Sequence, residues 1–196
     1  MHGAAVERQS VKPAEDMKQL GSVVILVGLI GESFVGGQSQ CAFPSATHRC
    51  LSPHATWEIE WREPNGHGRH TLFLKAISGG TPTNLLKFDR SADLLWSPGG
   101  RALAITARDA SNESVLWVFG GPTLLPPVNI EDRLIATLGR LPEIFRNGHR
   151  YYEAVSWPSS DILRFRVRVY DSEAGKQYLG KFRYHMTGKV IRERSK

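Results

Sequence analysis

The stretch "LLWSPGGRALAIT", residues 94–106, decides the fold class. One apolar run ends on Trp96, a Pro-Gly-Gly turn follows, and a second apolar run begins at Ala102. Proline presets the backbone of a turn and glycine tolerates left-handed conformations. Two apolar runs around such a turn therefore read as the arms of a β-hairpin. Working outward, "DLLWS" (93–97), "RALAITAR" (101–108) and, past the polar loop "DASNES", "VLWVFG" (115–120) are three short strands in succession.

The same texture extends in both directions. Upstream, "TWEIEW" (56–61) sets Trp57, Ile59 and Trp61 on one face and Glu58 and Glu60 on the other, because side chains alternate along a strand. "HTLFLKAI" (70–77) and "NLLKF" (84–88) follow, set apart by the turn-rich "EPNGHG" and "SGGTPT". Downstream, "YYEAVSW" (151–157), "ILRFRVRVYD" (162–171), "KQYLGKFRYHM" (176–186) and a closing "KVIRER" are joined by "PSSD", "SEAG" and "TG".

One segment differs. "NIEDRLIATLGRLPEIFRN" (129–147) spaces Ile130, Leu134, Ile135, Leu138, Leu141 and Phe145 in helical steps. Asn129 suits the N-cap, Glu131 and Asp132 suit the positive end of the helix dipole, and Gly139 and Pro142 divide the segment into two short helices. "TLLPPVN" ahead of it is a linker, since prolines do not sit inside central strands. The expected fold is mainly β, with antiparallel sheets and one helical insertion at about 129–146, and residues 56–196 form a single β-rich domain.

Two strand clusters carry a resemblance. "ADLLWSPGGRALAITARDASNESVLWVFGG" and "YEAVSWPSSDILRFRVRVYDSEAGKQYLGKFRYHMTGKV" each place an apolar strand ending in Trp and Ser before a proline turn, a long strand, a polar hairpin and another strand. This resembles the TolB-like β-propeller repeat, with Gly99 where that repeat usually has Asp, and with the motif decayed to Trp157-Pro158-Ser159-Ser160-Asp161 in the second cluster. "WEIEW…HTLFLKAI…NLLKF" is a weaker first unit. The resemblance implies blade-like sheets. A closed propeller takes typically four to eight blades, more than this chain holds. Three arrangements reconcile the two: a compact sheet or sandwich built of blade-like hairpins, which is the one expected; a partial propeller; or an oligomer that completes a ring. Trp96, Trp117 and Trp157 are expected as core anchors.

Composition narrows the setting. Net charge is +6 over 196 residues, which favours anionic neighbours. No recognised nucleic-acid reading motif accompanies that charge, so nucleic acid is not the expected partner. Residues 17–39 resemble a secretory signal peptide: Lys18, the apolar "LGSVVILVGLI" and small residues up to Ser39. The apolar run is too short to span a bilayer. Residues 1–16 fit badly before such a signal and are an upstream extension, with Met17 as an alternative start. Gln40 ahead of Cys41 is too large for a lipoprotein anchor. Cys41 and Cys50 are the only cysteines; an oxidising compartment pairs them and closes the loop 40–55. A metal pair helped by His48 and His54 matches no zinc spacing. Periplasmic or secreted localisation follows.

The sharpest candidate site is "ILRFRVRVY". Alternation puts Arg164, Arg166 and Arg168 on the face opposite Leu163, Phe165, Val167 and Val169. A hairpin with "YLGKFRYHM" adds Lys181, Arg183 and His185 to that face, with Tyr184 beside them and Tyr170 and Tyr178 flanking. Such a face attracts a protein or an anionic envelope polymer. No nucleophile elbow, phosphate loop, dinucleotide fingerprint or zinc-helix motif is found, and no catalytic residue or cofactor is expected. His67 and His70 in "NGHGRH" lack a third ligand, and "NES" (112–114) is a formal glycosylation sequon. The expected function is an exported, non-enzymatic binding protein of a bacterial envelope. The alternatives are a secreted hydrolase acting on a polymer and a structural subunit that completes a propeller by oligomerising.

Overall fold

The computed structural model describes residues 38–63, 68–110, 112–121, 123–124 and 126–194. In chain order the strands are β1 (Gln40–Phe43), β2 (Arg49–Leu51), β3 (Trp57–Arg62), β4 (His70–Ala76), β5 (Thr83–Phe88), β6 (Ser91–Trp96), β7 (Ala102–Arg108), β8 (Glu113–Gly120) and β9 (Val128–Asn129). The helices α1 (Ile130–Leu138) and α2 (Ile144–Asn147) follow, and then β10 (His149–Ser159), β11 (Ile162–Asp171), β12 (Lys176–His185) and β13 (Val190–Arg192). The fold is mainly β, with antiparallel sheets and a single helical insertion between β9 and β10. Among the described residues no helix is long and apolar enough to cross a membrane.

Strands β2-β3-β4-β5 form one antiparallel sheet. The remaining strands run in the order β1-β6-β7-β8-β10-β11-β12-β13, with β9 also on β8. The β8–β10 junction is parallel and pairs only Arg150 with Glu113 and Tyr151 with Ser114. Across it the sheet doubles back on itself. Leu95, Ala104, Leu116 and Val118 from the β6–β8 half meet Trp157, Leu163, Phe165 and Phe182 from the β10–β13 half in one core. The opposite face of β6–β8 presents Leu94, Trp96, Ile105 and Phe119 to Ile59, Leu72 and Phe88 of the first sheet. The β6–β8 layer is thus buried on both faces, and Ala102 through Ala107 are all buried. That explains why "RALAIT" is continuously apolar where "RFRVRV" alternates.

Hydroxyls fasten the two halves. Ser114 Oγ donates to the Tyr152 carbonyl and accepts from the Tyr152 N–H, both at 3.0 Å. Thr106 Oγ1 accepts from the Ala154 N–H at 3.1 Å, and Trp157 Nε1 donates to the Leu95 carbonyl at 3.0 Å. β10 therefore docks in turn on β8, β7 and β6. The serine of the glycosylation-type "NES" is spent in this junction.

The turn that opened the sequence has a structural twin. Ser97 Oγ accepts from the Ala102 N–H at 3.0 Å, while the Ser97 N–H donates to the Ala102 carbonyl and the Ser97 carbonyl accepts from Gly100, both at 2.9 Å. Ser52 makes the same three bonds: Oγ to the Trp57 N–H, N–H to the Trp57 carbonyl and carbonyl to the Ala55 N–H, all at 2.9 Å. Gly100 sits at φ +63°, and a Cβ there would lie 2.8 Å from the Pro53 carbonyl oxygen. The two turns therefore lie against each other. The decayed motif at Trp157 turns more tightly, since Ser159 already pairs with Ile162.

Several expectations are corrected. The segment 40–55 is not a loop apart from the domain: β1 pairs with β6 and β2 with β3, and Phe43 and Cys50 are buried in the core shared with the first sheet. Strands of four and three residues are too short to show alternation. The Cys41–Cys50 disulfide joins β1 to β2 and so staples two sheets, a closure worth about 2–3 kcal/mol. "TLLPPVN" ends in β9, and Asn129 then caps α1 by accepting from the Glu131 N–H at 2.9 Å. Of the helical apolar stripe, Ile130, Leu134 and Phe145 are buried, while Ile135 and Leu138 are exposed. Trp96 and Trp157 are fully buried, and Trp117 packs half-buried at the edge of the core. The signal-like segment up to residue 37 and the loop containing His67 lie outside the described residues.

Candidate functional site

β11 is ten residues long and alternates without a break, so its two faces separate cleanly. Leu163, Phe165, Val167 and Val169 are buried, while Arg164, Arg166 and Arg168 face outward. The hairpin with β12 places Arg183 opposite Arg164, Lys181 opposite Arg166 and Leu179 opposite Arg168. The expected five-cation face therefore exists on adjacent strands. His185 lies opposite Ile162 at its end. Tyr170 continues the β11 row, and Tyr151 of β10 lies under Arg168, whose Cζ is 5.6 Å from the ring centroid.

Tyr184 does not belong to this face. It is opposite Leu163, only 2 % exposed, and its phenol is pushed up by burial. Alternation decides this: a residue one step from Arg183 points into the core. Tyr178 likewise packs inward, edge-on to Phe145.

Two carboxylates flank the cations, one on β10 and one just past the end of β13. On the β10 side, Glu153 takes Arg166 through Nε at 3.0 Å and through Nη2, and Arg168 through Nη2 at 2.7 Å. On the β13 side, Glu193 Oε1 accepts from Arg183 Nε at 2.6 Å and Arg164 Nε at 3.1 Å. Burial pushes the Glu153 carboxyl up, but the hydrogen bonds and charges of Arg166 and Arg168 outweigh it and hold it below the ordinary range. Glu193 is held down chiefly by its hydrogen bond from Arg183. The Lys181 side chain forms no ion pair among the described residues. Exposed apolar side chains stand among these charges: Val155, Leu179, Tyr170 and Ile191. The face thus combines five cations, two carboxylates and an apolar fringe.

Glu153 and Glu193 are the functional neighbours that sequence pattern alone did not single out. Glu153 was visible in "YYEAVSW" as an outward-facing acid. Glu193 needs the β12–β13 register, in which Arg183 faces Ile191 and the Glu193 N–H bonds the Lys181 carbonyl. The cysteines are joined and supply no thiolate, and among the described residues no group of three His, Cys, Asp or Glu side chains gathers as a metal cage. His70 instead accepts from Trp61 Nε1 at 3.2 Å.

No protein-family model, no curated protein and no solved structure matches the chain.

Proposed function

We propose that this chain is an exported, non-enzymatic binding protein of a bacterial envelope that meets an anionic partner, a protein or an envelope polymer, through the outer face of β11 and β12. The observation that carries this reading is the arrangement of five cations on one sheet face against two carboxylates. A surplus of fixed charge on a rigid face speeds encounter with the opposite charge and selects against like charge. The Cys41–Cys50 disulfide supports an oxidising compartment.

The hydrolase alternative draws less support. An acid catalyst needs a carboxyl pushed up in a cleft. Glu60, Glu153 and Glu193 are shifted the other way, each held down by arginines, as counter-ions are. The ring-completing alternative meets a charge conflict. The far face of the first sheet carries Arg49, Arg62, Lys75 and Lys87 against Glu58 and Glu60, so both outer faces are positive and repel each other head to tail. The Ser52 and Ser97 turns support the reading of the sheets as TolB-like blade units in an incomplete stack.

The test is retention of the purified, oxidised protein by an envelope extract of its own source. Arg164→Glu combined with Lys181→Glu is expected to abolish a retention that wild type shows at low salt. Equal retention of the two proteins overturns the reading.

A further inference from the structure

A cleft of about 590 Å³ opens at the C-terminal edge of the basic face. Five cations line it, Arg164, Lys181, Arg183, Arg192 and Arg194, against the single carboxylate of Glu193. Ile191 adds an exposed apolar wall. We infer that this cleft binds the carboxylates of an acidic peptide segment in extended conformation. This rests on the reading that the outer face of β11 and β12 meets an anionic partner, and it names that partner's chemistry.

The chain displays the mode of recognition with its own residues. Glu193 follows directly on an extended strand, and its carboxylate is gripped by arginines from two adjacent strands. Glu153, on β10, is likewise held by two arginines at the other flank, both of them from β11. The face is thus built to take glutamates offered by a neighbouring extended backbone.

Capacity remains after Glu193 is bound. Arg164 and Arg183 reach it through Nε, and among the described residues their terminal guanidinium nitrogens make no hydrogen bond. A guanidinium takes a carboxylate best through two parallel N–H donors, and here the second edge of each fork is unspent. Lys181, two residues from Arg183 along β12 and opposite Arg166, lines the same cleft without an ion-pair partner among the described residues.

The apolar fringe separates peptide from phosphate polymer. Successive side chains of an extended peptide point to opposite sides, about 3.3 Å apart along the chain, so carboxylates and apolar groups can meet different walls. Ile191 in the cleft and Leu179 beside it give such a segment apolar contact. A polyphosphate chain has nothing to place there.

The test is calorimetric titration of the oxidised full chain at low salt with an octaglutamate peptide and, separately, with inorganic tripolyphosphate. Octaglutamate is expected to bind, and Arg183→Gln and Lys181→Gln are each expected to weaken it by about tenfold. Lys87→Gln removes the same charge from the first sheet and is expected to leave the affinity within about twofold. Lys181→Gln breaks no ion pair among the described residues, so it keeps the comparison valid even if Arg183→Gln fails to fold. Equal weakening by Lys87→Gln overturns the cleft as the site. Binding of tripolyphosphate without octaglutamate overturns the peptide inference and leaves the anionic-partner reading standing. Binding of neither overturns both.

Discussion

The hydroxyl of Ser114 completes both backbone hydrogen bonds of Tyr152, donating to its carbonyl and accepting from its N–H at 3.0 Å each. It does so where β8 and β10 pair over only two register positions. One serine thus supplies the backbone partner that the short parallel ladder does not. Ser114→Ala leaves a buried N–H and a buried carbonyl unpaired, at a cost of about 2–4 kcal/mol. Urea unfolding measures it. An unchanged midpoint would show that the β8–β10 junction does not need the hydroxyl.

The twin turns make a second, paired expectation. Ser97→Ala removes the acceptor of a buried N–H and is expected to cost about 1–3 kcal/mol. Gly100→Ala is expected to cost at least as much. It forces φ +63° on a residue with a Cβ and drives that Cβ to 2.8 Å from the Pro53 carbonyl. Thermal melts of both variants check this, and a Gly100→Ala protein as stable as wild type would show that the two turns do not touch in solution.

Two buried tryptophans are expected to differ on shortening to phenylalanine. Trp157 Nε1 donates to the Leu95 carbonyl, whereas Trp96 Nε1 has no partner among the described residues. Both changes lose packing, but only Trp157→Phe also loses a hydrogen bond between the two halves of the folded sheet. It should therefore destabilise by about 1 kcal/mol more than Trp96→Phe. The reverse order in denaturant unfolding would contradict the docking of β10 on β6.

Acid should weaken the β10–β11 pairing through Glu153. A carboxyl held below its ordinary value favours the folded, ionised state. That stabilisation is complete above the ordinary value of 4.5 and is lost as pH falls through the lowered one. Wild type is therefore expected to lose stability steeply below about pH 4.5, and Glu153→Gln to lose less over the same range. Urea midpoints at neutral and acid pH decide it; parallel declines would mean that Glu153 is not clamped.

Much of the fold was legible because particular residues declare themselves. Pro98 with two glycines fixed the central hairpin, and Gly139 and Pro142 marked the break between α1 and α2. The strict alternation of "ILRFRVRVY" separated the basic face from the core. The Ser52 turn was hidden because it carries no glycine: Ala55 adopts φ +49° in the place where Gly100 adopts +63°. β1 and β2 were hidden by their shortness. Tyr184 was misplaced although its parity against Arg183 pointed inward. The counter-ions were half legible, since Glu153 follows from alternation alone and Glu193 depends on a pairing register set by the turn at Thr187 and Gly188.

The measurement that bears most directly on the outer face of β11 and β12 is hydrogen exchange of the oxidised protein with and without an envelope extract of its source, read by mass spectrometry along the chain. A docked partner covers the strands it touches and slows their exchange. Protection concentrated in residues 162–185 and 190–194 is the expected result. Protection confined to β3–β5, or none anywhere, would contradict the assignment of this face as the binding surface.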